Sequence, residues 1–476
     1  MTDLRDNEHV TSFREVIKLG WPASLSMLSN TLIKFVDGWM VSRVGPAQFS
    51  AQFYGGMMAF VPESFLLGTL TVINTHVSQN FGLGRYRHCS RYAWAAIAVV
   101  IAFSAVVCPL ALAGRGIFEM LGHEEAAYEA LYFAYMVLSI PLTLSIRSIE
   151  QFFWGIHRSK IVLVGAVVGN LYNVGANYVL IFGKLGFPAM GLKGAAIGSV
   201  TAWTLQLALL MAVFLSRRLH AKFGTRLFRS VRWRQCSDIL RVGWPAGLQF
   251  FIDMFGWSFG ITILAGTFGL AHRFATTAVM RYMQVSFMPA VGIGIATTAI
   301  VGKVIGQQSA HLARRRAHAG VMVACAYMGA CGLAFLLFRH AMVDFFLKIS
   351  HMTDPTVSAD DVIRIGGRVM ICAAVFQLFD AVAIVYGGAL RGAGDTLWPM
   401  CVTAVLTLTV IFGGGYLFVT YLPSWQSIGP WAAGSTFVII LGLAMAFRFE
   451  SGVWKKIDLL GKRKRPVPPV TLPEVP

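Results

Sequence analysis

Two aspartates, Asp253 and Asp380, stand near the middle of long apolar stretches, LQFFIDMFGWSFG and FQLFDAVAIVYGGAL. An ionised Asp at the centre of a membrane helix costs roughly 3 kcal/mol on insertion scales. Binding of a proton or a cation removes much of that cost. Two such acids on different helices therefore indicate a proton site or a Na⁺ site at Asp253 and Asp380. A structural hydrogen bond to a neighbouring helix is the competing interpretation.

A third acid, Asp37, follows Lys34 by three residues, so both side chains share one helix face. This spacing permits either a local salt bridge or a functional acid whose protonation Lys34 influences. Asn173 and Asn177 lie four residues apart and also share a face. Ion binding and interhelical packing are both open as their role.

Several residues in neighbouring apolar stretches are candidates for contacts with a substrate. Glu63 follows Pro62 and either faces a cleft or bridges to another helix. Aromatic and Met side chains can form an apolar cleft wall, although they also serve as packing residues or face lipid. The candidates are Lys34, Glu63, Phe251, Trp257, Met283 and Met288.

The composition is that of a membrane protein. Of the 476 residues, 56% are hydrophobic and 13% are charged, with a mean hydropathy of +0.64, whereas soluble domains carry about 25% charged residues. About 20 apolar residues span a bilayer, so the sequence predicts an all-α polytopic fold with twelve transmembrane helices. The spans lie near 16–41, 52–78, 90–113, 127–152, 161–182, 191–215, 239–268, 276–303, 318–339, 362–389, 397–420 and 427–449.

The Lys and Arg residues that give the net charge of +18 are distributed unequally between the loops on the two sides of the membrane. One set of loops, including both ends of the chain, carries 27 Lys and Arg, and the opposite loops carry seven. Cytoplasmic loops collect such residues, so both termini are predicted to be cytoplasmic and the protein to lie in the inner (plasma) membrane. This distribution explains the charge without nucleic-acid binding.

The two halves of the chain repeat each other. LGWPASL at 19–25 recurs as VGWPAGL at 242–248, and in a similar way Gly82 matches Gly306. Equivalent points are six spans apart, which predicts parallel repeats and two six-helix lobes around a central cleft. The predicted divisions are an N-terminal segment 1–15, an N-lobe 16–215, a basic linker 216–238, a C-lobe 239–449 and a tail 450–476.

Motifs in both halves share the pattern of one transporter family. Pro22 and Pro245 stand early in spans 1 and 7, FVDGWMVSRVG lies near the outer end of span 1, and VSQNFGLG follows span 2. NLYNVGANYVLIFGKLGFPAMGLKGAAIG in spans 5 and 6 and FDAVAIVYGGALRGAGDT at span 10 are the most specific stretches. Together they resemble the MATE (multidrug and toxic compound extrusion) family over nearly the whole chain.

This resemblance implies a two-lobed exporter driven by inward movement of Na⁺ or H⁺. It also implies that Asp37, with Asn173 and Asn177 nearby, belongs to an ion-coupling site in the N-lobe. By the same resemblance, Asp253 and Asp380 belong to a cation site in the C-lobe. The chain departs from the family in span 7, where the bacterial branch usually carries Glu at the position of Asp253, and in VGPAQFSAQ, which replaces LGxxxLAA.

The sequence contains no P-loop, nucleophile elbow or HExxH motif. We therefore expect no enzyme activity and no cofactor, and an ion gradient as the energy source. The predicted function is antiport of amphipathic, cationic organic compounds against H⁺ or Na⁺ by a monomer in the lipid bilayer. The two short Asp side chains favour H⁺, because they reach less easily around one Na⁺ ion. The alternatives are export of an anionic or zwitterionic metabolite such as a siderophore, suggested by Lys34, Arg147 and Arg281, and a lipid-precursor flippase of the same superfamily.

Overall fold

Long helices occupy the positions of the predicted spans. The computed structural model describes residues 2–123, 125–228, 231–350 and 357–460, and leaves out the side chains of 2–11, 259 and 349–350. The end of the predicted tail, residues 461–476, lies outside the described residues. The described helices are α1 Thr2–Ser42, α2 Pro46–Gly82, α3 Tyr86–Val107, α4 Ala126–Gly155, α5 Ser159–Phe182, α6 Gly191–Phe214, α7 Trp233–Gly266, α8 Leu270–Gly306, α9 Ala310–Ser350, α10 Ala359–Ala393, α11 Leu397–Tyr421 and α12 Ile428–Glu450.

The helices confirm the predicted all-α membrane fold. Eleven of them, α2 to α12, are long and apolar enough to cross a membrane. The first helix, α1, is 41 residues long but is not among these eleven, and Asn30, Lys34 and Asp37 lie in its second half. Two short helices, Leu110–Met120 and Arg217–Phe223, lie in connections between the long ones.

Some element boundaries differ from the sequence prediction. Helix α9 covers Ala310–Ser350 instead of 318–339, and α1 already includes most of the polar segment 1–15. A 41-residue helix is about 60 Å long, whereas the hydrocarbon core is about 30 Å thick. Hydropathy identifies only the apolar part of a helix that lies inside lipid. It therefore misses polar turns that continue the helix beyond the hydrocarbon core. The linker is also shorter than predicted, because α7 begins at Trp233.

We call α1–α6 the N-half and α7–α12 the C-half, and helices α1 and α7 each pack on both halves. In the N-half, α1 packs on α5, α2 on α4, and α5 on α6. In the C-half, α10 packs against α8, α9 and α12. Helix α7 is shared, since it packs on α2 and α3 of the N-half and on α11 of the C-half. The halves also meet where α1 packs on α8 and α9 and where α2 packs on α8.

The two halves touch closely where the middle of α1 and the C-terminal part of α2 pack on the second half of α8. The Ser24 hydroxyl donates a hydrogen bond of 2.6 Å to the Pro289 carbonyl, and Asn74 Nδ2 donates one of 3.2 Å to the Ile295 carbonyl. Gly292 lies against the backbone of Ala23 and Ser24, where an added Cβ would overlap. The halves are therefore in contact towards the end of the molecule where α1 begins and α12 ends, here called the closed end.

An ion-pair cluster joins the halves at this closed end. The Glu15 carboxylate of α1 lies 2.6 Å from Arg316 Nε of α9 and 3.5 Å from Lys303 Nζ of α8. Burial would raise the pKa of Glu15, but Arg316 and Lys303 outweigh it and hold that pKa below its ordinary value. The stabilisation by ionised Glu15 is thus present at neutral pH and is lost only as the pH falls through this lowered pKa.

Cysteine labelling tests the predicted topology. In a background without the seven native cysteines, a membrane-impermeant maleimide should label Arg218→Cys in the linker and Lys462→Cys in the tail only from the cytoplasm. The same reagent should label Leu185→Cys, between α5 and α6, and Asp354→Cys only from outside. Positions 354 and 462 lie outside the described residues. Labelling of 354 and 462 from the same face would rule out the twelve-span topology.

Candidate functional site

A chain of hydrogen bonds links Asp37 to α5 and α6 in the N-half. Asn177 Nδ2 donates to Asp37 Oδ1 at 2.8 Å and also lies 3.1 Å from Asn173 Oδ1. Asn173 Nδ2 in turn donates to the Ser199 hydroxyl at 3.4 Å. The four-residue spacing of the two Asn side chains therefore places both on the helix face towards Asp37. The structure brings these three predicted residues together, and Ser199 adds a partner that the sequence did not single out.

A second polar group lies in the N-half around Glu63. The Thr143 hydroxyl donates a hydrogen bond of 2.6 Å to Glu63 Oε1. Lys34 and Arg147 both interact electrostatically with this carboxylate, and Lys34 also interacts with Asp37. Arg147 itself forms an ion pair of 2.8 Å with Glu150. Glu63 thus bridges α2 to α4 and at the same time faces the charged interior of the N-half.

The C-half contains Asp253 on α7 and Asp380 on α10. The two carboxyl groups lie close enough to interact electrostatically, and both side chains are half-buried. Within the described part of the chain, neither makes a hydrogen bond or an ion pair. Two carboxylates without such partners have oxygen atoms available for a proton or a cation. No third His, Cys, Asp or Glu joins them in a metal-binding group within the described residues.

A change of helical geometry follows Asp253 directly. Residues Gly256–Ile261 form a π-helical turn in α7, and Thr407–Gly414 form another in α11. The two turns touch, because Gly256 lies next to Thr407 and Gly260 next to Ile411. Such turns are frequent at functional sites. The turn beside Asp253 therefore marks the part of α7 whose backbone is least regular.

The predicted aromatic and Met residues fall into different surroundings. Trp257 packs against the buried rings of Phe376 and Trp431, with centroids 5.8 and 6.4 Å apart. Phe251 stacks on Phe255 at 6.3 Å. Met283 and Met288, both on α8, are half-buried. Trp257 thus contributes to packing inside the C-half, and a substrate contact for any of these four residues remains a prediction.

Some polar residues of the site were missed in the sequence. Thr143 donates a hydrogen bond to Glu63. Gln206 Nε2 donates a hydrogen bond of 3.2 Å to Glu150 Oε1. Single hydroxyl and amide side chains in apolar helices carry no distinctive spacing, so their partners were not evident. Arg281 contacts the ring of Phe35, with its guanidinium carbon 5.3 Å from the centroid. This contact joins α8 to α1 across the two halves.

Comparisons with known proteins agree with this architecture. The sequence profile of the MatE family matches residues 22–179 and 245–415, and these two ranges begin at the paired prolines of the repeat. "Probable multidrug resistance protein NorM" of Mesorhizobium japonicum is 26% identical over 93% of this chain and 89% of its own length. "Multidrug resistance protein NorM" of Burkholderia vietnamiensis is 26% identical over 92% of this chain and 93% of its own.

Solved structures show the same fold at low sequence identity. A multidrug resistance MATE family transporter of the MOP superfamily in an outward-facing conformation superposes with a TM-score of 0.83, at 18% identity, over 94% of this chain and 97% of that chain. A MATE protein in complex with MaL6 gives a TM-score of 0.82, also at 18% identity, over 94% and 98% of the two chains. With the family profile matched across both halves, this chain belongs to the MatE family of multi-pass membrane transporters, which are not enzymes.

Proposed function

We propose that the protein is a proton-coupled antiporter that exports amphipathic organic cations by alternating access of two lobes, the N-half and the C-half. The observation that carries this proposal is the pair Asp253 and Asp380. These acids lie in membrane helices, interact electrostatically and have no hydrogen-bond or ion-pair partner among the described residues. A charge buried in this way is costly, so loading and release of a proton changes the free energy of the lobe that contains it.

The substrate class rests on the charge of the cleft and on the relatives. Asp37, Glu63, Asp253 and Asp380 place acids on both halves, and acids attract organic cations. Aromatic rings near them add cation–π attraction. The NorM relatives are described as multidrug resistance proteins, which supports drug-like compounds as substrates of this chain as well. All these residues come from one chain, so a monomer suffices.

Proton coupling fits the acid pair better than Na⁺ coupling. Na⁺, like other hard cations, takes several oxygen ligands, whereas a proton needs one carboxyl group. Within the described residues no hydrogen bond orients Asp253 or Asp380 towards a shared ion. Asp37 differs, because Asn177 already holds one of its oxygens. We assign coupling to the C-half pair and a supporting role to the N-half cluster.

The orientation of the cleft follows from the charge of the loops. With 27 Lys and Arg on the side of the termini and seven on the other, the termini belong in the cytoplasm. The halves are closed at that same end, through Ser24, Gly292 and Glu15. We infer from this contact and from the charge of the loops that the cleft faces the outside in this conformation. A proton entering from outside would meet Asp253 and Asp380 in this state.

Liposomes that contain the purified protein test the proposal. A cationic dye should be transported under an imposed pH gradient in the absence of Na⁺, and a Na⁺ gradient at equal pH should have no effect, because only the proton changes the state of the acid pair. Empty liposomes control for passive movement of the dye. Transport that requires Na⁺ and ignores the pH gradient would refute proton coupling. Transport that responds to neither gradient would refute antiport.

A further inference from the structure

Three arginines and one histidine converge at the closed end, where α3 and α7 begin. The guanidinium groups of Arg85, Arg91 and Arg232 all interact electrostatically with His88. We call these four residues the inner basic cluster. Arg85 precedes α3, His88 and Arg91 lie in its first turns, and Arg232 directly precedes α7. Positive charges brought together from two parts of the chain repel each other, so their convergence requires an explanation.

The protein supplies little negative charge to balance the inner basic cluster. Residues 83–118 and 207–237, which contain the whole cluster, include no Asp or Glu. Within the described residues, none of the three guanidinium groups makes an ion pair or a side-chain hydrogen bond. The next acid, Asp238 on α7, already accepts a hydrogen bond of 2.9 Å from the Tyr92 hydroxyl. The guanidinium donors of the cluster are therefore available to an anion from outside the chain.

The linker that carries Arg232 is held on α3 by hydrogen bonds. The Ser90 hydroxyl donates one of 2.7 Å to the Phe223 carbonyl, and Trp94 Nε1 donates one of 2.7 Å to the Thr225 carbonyl. Further along, the Arg232 backbone N–H donates a hydrogen bond of 2.8 Å to Gln235 Oε1 and so fixes the start of α7. The cluster is thus assembled by the fold itself, because these contacts hold the linker beside the first turns of α3.

An apolar stripe on α7 begins beside the inner basic cluster. Trp233 follows Arg232 directly and is 78% exposed. Leu240 and Trp244 are also exposed, and spacings of seven and eleven residues place all three on one helix face. Trp233 precedes the predicted span 239–268 by about 9 Å along the helix, at the level where Trp residues meet lipid headgroups. The stripe therefore runs from the headgroup level into the hydrocarbon, as an acyl chain does.

We propose that the inner basic cluster binds the phosphate group of an anionic phospholipid, whose acyl chain lies along Trp233, Leu240 and Trp244. Basic residues clustered beside the end of a membrane helix attract anionic headgroups. A soluble phosphate compound has the charge but would gain nothing from the apolar stripe. The choice of the cytoplasmic leaflet rests on the orientation in the proposed function, whereas binding itself is independent of transport. A bound headgroup would join the linker to α3.

Native mass spectrometry of the purified full-length protein in detergent tests this assignment. Dioleoyl phosphatidylglycerol and dioleoyl phosphatidylcholine share their acyl chains and differ in net charge. The wild type should retain phosphatidylglycerol more tightly than phosphatidylcholine. Arg91→Gln and Arg232→Gln should each weaken retention of phosphatidylglycerol about fivefold, the usual contribution of one basic residue at an anionic membrane surface. Retention of phosphatidylcholine should stay within twofold, because its choline group balances its phosphate.

Two further variants separate the parts of the site. Arg91→Lys should keep most of the affinity for phosphatidylglycerol, because it keeps the charge, and this distinguishes lost charge from lost folding. Trp233→Ala should weaken retention of both lipids to the same extent, because it removes an apolar contact that the two acyl chains share. Arg158→Gln is the matched control, since Arg158 is exposed at the same end, between α4 and α5. It should alter neither affinity.

Several outcomes would overturn the proposed lipid site. They are equal retention of the two lipids by the wild type, equal losses of both lipids in Arg91→Gln and Arg232→Gln, and a loss of phosphatidylglycerol in Arg158→Gln as large as in these variants. Displacement of phosphatidylglycerol by inorganic phosphate would also overturn it, because the site would then bind a soluble anion. Binding is measured without a gradient. If lipid retention follows the expected pattern but liposomes show no dye transport, the proposed function fails and the lipid site stands.

Discussion

Replacement of Asp380 by Asn is expected to abolish dye export driven by a pH gradient. Asn has nearly the shape of Asp, but its amide cannot take up and release a proton. Asp380 makes no hydrogen bond or ion pair among the described residues, so the change removes no structural contact. It also removes a charge that is costly in the membrane, and the variant should insert and fold normally. Transport is measured in liposomes and folding by thermal unfolding in detergent.

Asp253→Asn should have the same effect, because the two acids interact electrostatically and form the proposed proton site together. Asp361→Asn is the matched control, since it makes the same change on the same helix, α10. The side chain of Asp361 is half-exposed and pairs with Arg364 at 2.6 Å, so its loss should leave export near the wild-type rate. Binding of the cationic dye without a gradient should be unchanged in Asp361→Asn. Wild-type transport rates in both Asp253→Asn and Asp380→Asn would show that coupling resides elsewhere.

The sequence alone was sufficient to predict the fold, and it singled out the acids of the candidate site. Apolar spans of about 20 residues predict membrane helices directly, because lipid forces the backbone to satisfy its own hydrogen bonds. The acids were conspicuous for the same reason, since few charged residues occur in such spans. The spacing of Asn173 and Asn177 placed both on one face, and in the structure Asn177 on this face donates a hydrogen bond to Asp37 and another to Asn173.

The remaining contacts depend on how the helices rotate and slide against each other. The meeting of Arg281 with Phe35 joins residues 246 positions apart, and no local pattern encodes that distance. Hydropathy likewise gives the presence of a span but neither its tilt nor its rotation. The π-helical turn Gly256–Ile261 was missed because no spacing in the sequence distinguishes it. Packing of α7 on α2 and α11 determines these features.

Gly292→Ala is expected to weaken the closed end of the cleft and to slow export about tenfold. An added Cβ at Gly292 would overlap the backbone of Ala23 and Ser24. Backbone cannot move aside as a flexible side chain can, so α8 and α1 must separate. Overpacking of this kind costs about 1–3 kcal/mol, which shifts a two-state equilibrium roughly 5- to 150-fold. Because alternating access needs both states, this bias should lower the rate of the whole cycle.

Separation of the halves in Gly292→Ala can be measured with spin labels at positions 158 and 311. Arg158 and His311 are exposed on opposite halves at the closed end, so separation should lengthen the distance between the two labels. Gly20→Ala is the matched control at the same interface, since its Cβ would lie 3.8 Å from Ile293 and 3.9 Å from Ala296, in ordinary contact. Both substitutions add a methyl group to a helix and gain similar helix propensity, up to about 1 kcal/mol, so propensity cannot explain a difference between them. The distance distribution of Gly292→Ala could instead match those of Gly20→Ala and the wild type. In that case the contact of Gly292 with the backbone of Ala23 and Ser24 does not hold α1 and α8 together. If instead Gly292→Ala alone opens the closed end, the close approach of these two helices is what keeps the cleft facing outside.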